Sequence, residues 1–92
     1  PDFSDDSTTT DSEDNIGIYP NPTTDEFTIV FQEKEIIKSI KLYDLKGYEV
    51  YSNYLNEEYN IYNVNISKLQ KGTYLLKITT DNDIFHKKII KL

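Results

Sequence analysis

The sequence predicts an all-β fold, an immunoglobulin-like antiparallel β-sandwich of about seven short strands. Three observations lead there. From Ile16 onward the apolar residues recur with a period of two. Turn-forming residues interrupt that alternation about every ten residues, and no window carries a convincing helical period. A five-stranded barrel is the alternative the same spacing allows.

Each element has its own justification. Ile16 and Ile18 begin a short strand that Pro20 and Pro22 stop, because neither proline can donate to a ladder. Across residues 26–32, Phe27, Ile29 and Phe31 face one way and Thr28, Val30 and Gln32 the other. Across 36–44, Ile40 and Leu42 share a face opposite Lys41 and Tyr43. Asp44-Leu45-Lys46-Gly47 suits a type I turn closed by a glycine of positive φ, which sends 48–52 back as a hairpin. Residues 59–66 align Tyr62, Val64 and Ile66. Residues 67–72 form a turn, read as one helical loop capped by Ser67. Tyr74, Leu76 and Ile78 align along 73–80, Asp81-Asn82-Asp83 turns again, and 84–92 is the last strand. That strand keeps its apolar pattern to Leu92, with no polar tail, which points to a functional role for this end.

Composition bounds the function. Ninety-two residues make one small domain, and the absence of cysteine removes disulfides and thiolate metal sites as sources of stability. No run approaches the roughly 20 apolar residues of a membrane-spanning helix. No cleavable signal pattern is visible, so an address for export would lie upstream or within these residues. The net charge of -6 sits entirely in residues 1–14, which hold six acidic groups and no lysine. The remainder balances ten acidic groups against ten lysines and has no arginine, which argues against nucleic acid as a partner. Residues 1–15, rich in Ser, Thr and Asp, cannot bury enough apolar surface to offset ordering, and read as a flexible acidic linker. The domain proper is 16–92.

Catalytic chemistry finds no constellation. His86 is the single histidine, on a strand face shared with Ile84, Lys88 and Ile90, where it reads as a surface residue. One histidine and no cysteine cannot build an N/S zinc site. Ser39, Ser52 and Ser67 lack the glycines of a nucleophile elbow. Asp81-Asn82-Asp83 lacks the downstream Gly and Glu of an EF-hand loop, and Glu57-Glu58 reads as loop solvation. No cofactor is expected. Eight tyrosines are the unusual signal, and Tyr43, Tyr48, Tyr51, Tyr54, Tyr59 and Tyr62 crowd the middle. A flat row of them would stack sugars; half-buried strand positions explain them as well. Asn65-Ile66-Ser67 matches a glycosylation sequon at a strand end.

Four segments stand in a telling order. They are Tyr19-Pro20-Asn21-Pro22-Thr23-Thr24-Asp25-Glu26-Phe27-Thr28-Ile29, Ile40-Lys41-Leu42-Tyr43-Asp44-Leu45-Lys46-Gly47-Tyr48-Glu49-Val50, Leu69-Gln70-Lys71-Gly72-Thr73-Tyr74-Leu75-Leu76-Lys77-Ile78 and Lys87-Lys88-Ile89-Ile90-Lys91-Leu92. Together they resemble the opening motif, the strand–turn–strand motif, the L-x-x-G-x-Y segment and the terminal basic-apolar strand of the type IX secretion system C-terminal sorting domains (type A) of Bacteroidetes-like bacteria. The resemblance covers residues 16–92.

It implies a secretion signal rather than an enzyme. The upstream cargo, covalently linked, would cross the periplasm and pass the outer-membrane translocon with its shuttle components. A surface sortase would then cut before the domain, leaving the cargo at the cell surface or outside. The resemblance places the signal on Pro20, Asn21, Pro22 and Asp25, then Tyr43, Asp44 and Gly47. It continues through Leu69, Gly72 and Tyr74 to Lys87, Lys88, Ile89, Ile90, Lys91 and Leu92. The cut would fall among Ser4, Asp5, Asp6, Ser7, Thr8, Thr9, Thr10, Asp11, Ser12, Glu13, Asp14 and Asn15. The terminal strand would be read by strand addition or by a pocket for its lysines. The competing reading is a carbohydrate-binding or adhesive module, resting on the tyrosines.

Overall fold

The computed structural model describes residues 16–92, and the expected linker and cleavage region lie outside the described residues. All elements are strands: β1 (Ile16–Tyr19), β2 (Glu26–Asp44), β3 (Glu49–Asn65), β4 (Gly72–Thr80) and β5 (Ile84–Lys91). They pair antiparallel in one sheet of order β1-β2-β4-β5, with β3 along the other side of β2.

The seven expected strands become five because two pairs of segments join. Residues 26–32 and 36–44 are the two halves of β2; 48–52 and 59–66 are merged in β3, apart from their ends at Tyr48 and Ile66. The intervening residues contain no Gly or Pro, so nothing forces the chain out of an extended conformation. What the sequence shows as a break is a change of parity. Phe27, Ile29, Phe31 and Ile37 are buried at odd positions, then Ile40 and Leu42 at even ones. A register shift between Ile37 and Ser39 absorbs that change, and Asn56 opposite adopts φ +79°. Such a bulge re-aims the side chains and bends the strand without ending it.

Bent β2 serves two neighbourhoods. Its first half lies between β1 and β3, its second between β4 and β3. The sheet therefore curls over a single core instead of splitting into the two sheets expected. Phe31, from the first half of β2, meets Phe85 of β5 edge to face, with ring centroids 6.2 Å apart. Ile29, Ile40, Leu42, Leu76, Ile78 and Ile89 are fully buried between them. Each such side chain contributes about 1.5–3 kcal/mol by leaving water.

The turns follow local chemistry. The Asp44 turn closes with Gly47 at φ +93°, its N–H donating to the Asp44 carbonyl at 2.9 Å. The turn after β3 is not a helical loop, and Ser67 does not cap it. The cap is Asn65, whose Oδ1 accepts from the Ser67 N–H at 3.0 Å and the Ser67 hydroxyl at 2.8 Å. In the 81–83 turn, buried Thr80 accepts the Asp83 N–H on its hydroxyl at 3.0 Å. Lys38 pairs with Asp81 beside it at 3.3 Å.

Candidate functional site

Strand register brings all four sequence segments to one end of the sheet. Asp44 of β2 stands opposite Tyr74 of β4, and Tyr74 opposite Ile89 of β5. Gly72 stands opposite Lys91, and Lys91 is bridged on its other side by Thr23, in parallel. Residues far apart in sequence are thus neighbours across four chain segments.

The Asp44 turn is held by its own carboxylate. Asp44 Oδ1 accepts from the Lys46 N–H at 2.9 Å and the Tyr48 N–H at 3.0 Å. This leaves Asp44 a structural acceptor rather than a free acid. Tyr43, one residue earlier, is half-buried.

Beside it, the 66–72 loop is shaped by the other motif. Half-buried Leu69 packs on the core, and its N–H donates to the Ile66 carbonyl at 3.0 Å. Gly72 takes φ +152°, a conformation that a Cβ disfavours even though the space around it is open. Tyr74 buries its ring and donates its hydroxyl back to the Gln70 carbonyl. This is the tyrosine-corner device of β-sandwich proteins, achieved here near the start of an inner strand of one curled sheet.

The opening segment seals the outer edge of β5. Asn21 Nδ2 donates to the Lys88 carbonyl at 2.7 Å, and Asn21 Oδ1 accepts the Ile90 N–H at 3.0 Å. Thr23 then donates its N–H to the Ile90 carbonyl at 2.8 Å and accepts the Leu92 N–H at 2.8 Å. The Thr23 hydroxyl, buried, donates to the Glu26 carbonyl at 2.6 Å. Asp25 enters through its backbone, its carbonyl accepting the Ile66 N–H at 2.7 Å. Pro20 and Pro22 flank Asn21, each preceded by a cis peptide bond. Strand addition at Lys88, Ile90 and Leu92 would therefore have to displace Asn21 and Thr23.

β5 divides its residues between two faces. Ile89 is buried, and Lys87 and Lys91 are half-buried on the same side. Ile84, His86, Lys88, Ile90 and Leu92 are exposed on the other. Among the described residues no group of three His, Cys, Asp or Glu side chains could hold a metal ion. Among the described residues no helix is long and apolar enough to cross a membrane.

The tyrosines do not form a flat row. Tyr59 and Tyr62 pack edge to face at 5.0 Å, and both lean on the core with Tyr51. The Tyr62 hydroxyl accepts from Asn53 Nδ2 at 2.8 Å. Burial pushes the Tyr51 phenol up, with Tyr62 beside it adding to the shift. A hydrogen bond to Glu57 raises the Tyr59 phenol in the same direction. Lys41 lies 5.2 Å from the centre of the Tyr54 ring and 3.5 Å from Glu49; the Tyr54 contact is the chief cause that raises its ammonium.

Sequence reasoning missed the surroundings of this end. Leu45, Lys46, Val50, Lys68 and Lys71 line a cleft of about 440 Å³ between the Asp44 turn and the 66–72 loop. The signal was present, as lysines and an aliphatic residue inside turn segments, but nothing local says that the two turns face each other.

Comparison with known proteins covers the domain as a whole. Residues 17–92 match the family described as secretion system C-terminal sorting domain. The chain is 34% identical over 76 residues to Ulvan lyase NLR42 of Nonlabens ulvanivorans. It is 29% identical over 76 residues to an endo-acting ulvan lyase of Formosa agariphila. Each match covers 82% of this chain and 14% of the relative. The chain thus spans about one seventh of the length of these curated relatives.

Proposed function

The chain belongs to the type IX secretion system C-terminal sorting domain family, and on that premise we propose that residues 16–92 are a sorting signal for a covalently linked upstream cargo. The signal directs that cargo from the periplasm through the outer-membrane translocon, with its shuttle components, to the cell surface or beyond. Its role is that of substrate and address, not catalyst. A surface sortase cuts within the acidic segment from Ser4 to Asn15.

One observation carries the reading: register brings the four motif segments side by side at one end of the sheet, around Lys91. A recognition surface assembled from distant segments is read only when the domain is folded. This couples export to folding of the tail itself. The tyrosines favour no second reading, since Tyr51, Tyr59 and Tyr62 are spent on the core.

A fusion of the full chain behind a periplasmic reporter, in a host with a working type IX system, tests the proposal. Reporter on the cell surface or in the medium is the expected result. Reporter retained in the periplasm contradicts it, and reporter delivered outside but still joined to residues 16–92 contradicts sortase cleavage alone.

A further inference from the structure

The end where the motifs meet is not a smooth surface. The cleft of about 440 Å³ between the Asp44 turn and the 66–72 loop adjoins a second of about 270 Å³. Asp44, Leu45, Thr73 and Tyr74 line both, so the two form one trough that reaches Lys88. It touches three of the four motif segments.

Its composition is specific. Leu45 is 74% exposed and Val50 36% exposed, and half-buried Leu69 lines the cleft from the 66–72 loop. These aliphatic side chains sit at the end of a sheet that otherwise buries Leu42, Leu76 and Ile89 completely. Around them stand Lys46, Lys68 and Lys71, all exposed. Among the described residues no carboxylate lies within ion-pair distance of these three. Among the described residues Asp44 is the single acid lining the trough, and its Oδ1 is committed to two turn N–H groups. Exposed apolar surface rimmed by unpaired charge of one sign marks an interaction site for a partner of the opposite sign.

We infer that this trough docks an extended peptide segment of the export apparatus that alternates acidic and apolar residues. Acidic groups would meet Lys46, Lys68 and Lys71, and apolar side chains would cover Leu45, Val50 and Leu69. An extended strand presents side chains alternately to two sides, which suits a trough with an apolar floor and a basic rim. A bare phosphate surface would satisfy the lysines but leave the aliphatic floor in water, so the peptide is the better occupant. The inference deepens the sorting reading and rests on it for where the partner resides; the binding chemistry is read from the trough itself.

The probe is an acetylated hexapeptide, Asp-Leu-Asp-Phe-Asp-Leu, titrated into the isotope-labelled full chain and followed by amide chemical shifts. Saturable shifts are expected at Leu45, Lys46, Val50, Lys68 and Lys71. The triple variant Lys46→Gln/Lys68→Gln/Lys71→Gln removes the charges while keeping polar side chains with part of each aliphatic stem, and should bind about tenfold more weakly, as should an Asn-for-Asp peptide. Leu45→Ser, at an exposed turn position, should weaken binding several-fold with the fold intact. No saturable binding, equal binding by the triple variant, or shifts confined to another face overturns the inference. Binding of vesicles rich in anionic lipid, without binding of the peptide, also overturns it and assigns the lysines to a headgroup surface. Reporter export by the unsubstituted chain, measured in parallel, judges the sorting reading separately. Normal export with no peptide binding sinks the trough and leaves the signal standing.

Discussion

Asn21 stands in for a backbone strand beside Ile90. Its amide oxygen accepts the Ile90 N–H at 3.0 Å while its nitrogen donates to the Lys88 carbonyl two residues earlier, at 2.7 Å. A single side chain thus reproduces both hydrogen bonds of one ladder step. Between two prolines the chain cannot pair as a regular strand, because proline supplies no N–H. An asparagine in that position closes the edge anyway, and an open edge is what invites unwanted pairing.

Asn21→Ala should therefore cost about 1–2 kcal/mol, the worth of two exposed hydrogen bonds. Amide exchange at Ile90 should accelerate well beyond that of the buried core. Denaturant melts and exchange rates check this together. Unaltered protection at Ile90 would show that the contact is incidental.

Gly47→Ala should destabilise by about 1–2 kcal/mol, because φ +93° at this position crowds a Cβ against the backbone. Asp44→Ala should cost a similar amount by freeing the Lys46 and Tyr48 N–H groups. Both residues hold the same turn, so the double variant should lose less than the two single losses added. Strict additivity in urea melts would contradict a shared role.

Tyr74→Phe keeps the buried ring and removes only the hydroxyl that donates to Gln70. A loss of about 1 kcal/mol is expected. Amide exchange in residues 67–72 should rise while β5 remains protected. A variant with wild-type stability and loop exchange would rule out the corner as a support for this loop.

Ile89 and Leu92 separate scaffold from signal. Ile89→Ala empties a fully buried position and should cost about 2–5 kcal/mol. Leu92 is 64% exposed, so Leu92→Ala should stay within about 0.5 kcal/mol of the parent. If exposed terminal residues are read, Leu92→Ala and Lys88→Ala fusions fold normally and export poorly. Full export by both would mean that the terminal strand matters only for folding.

The Tyr51 phenol is raised, first by burial, so folding favours its neutral form. Its contribution is fully present below the ordinary tyrosine pKa of about 10 and is lost as pH climbs through the raised folded value. Melting midpoints should thus fall above about pH 10, and less steeply in Tyr51→Phe. Identical slopes in the two proteins would remove Tyr51 as a source of alkaline instability.

Much of the fold is legible in the sequence. Alternation along Phe27–Ile29–Phe31 and Tyr74–Leu76–Ile78 reads as strand because burial on one face imposes a period of two. The Asp44–Gly47 hairpin was equally plain, since an Asx acceptor and a glycine of positive φ are local requirements. The strand count was not. A parity change between Phe31 and Ile40 looks the same whether the chain turns or bulges, and only pairing partners decide between them.

The same division runs through the function. The linear sequence determined an all-β domain, the Asp44–Gly47 turn and the membership of four ordered segments in one sorting family. Tertiary structure alone decided that Thr23, Gly72 and Lys91 are neighbours, that Asn21 seals the last strand, and that two lysine-bearing turns face across an aliphatic trough. The reason is physical. Periodicity and turn chemistry act over a few bonds and are written into consecutive residues. Strand register and the packing of one loop against another are settled by the whole core at once.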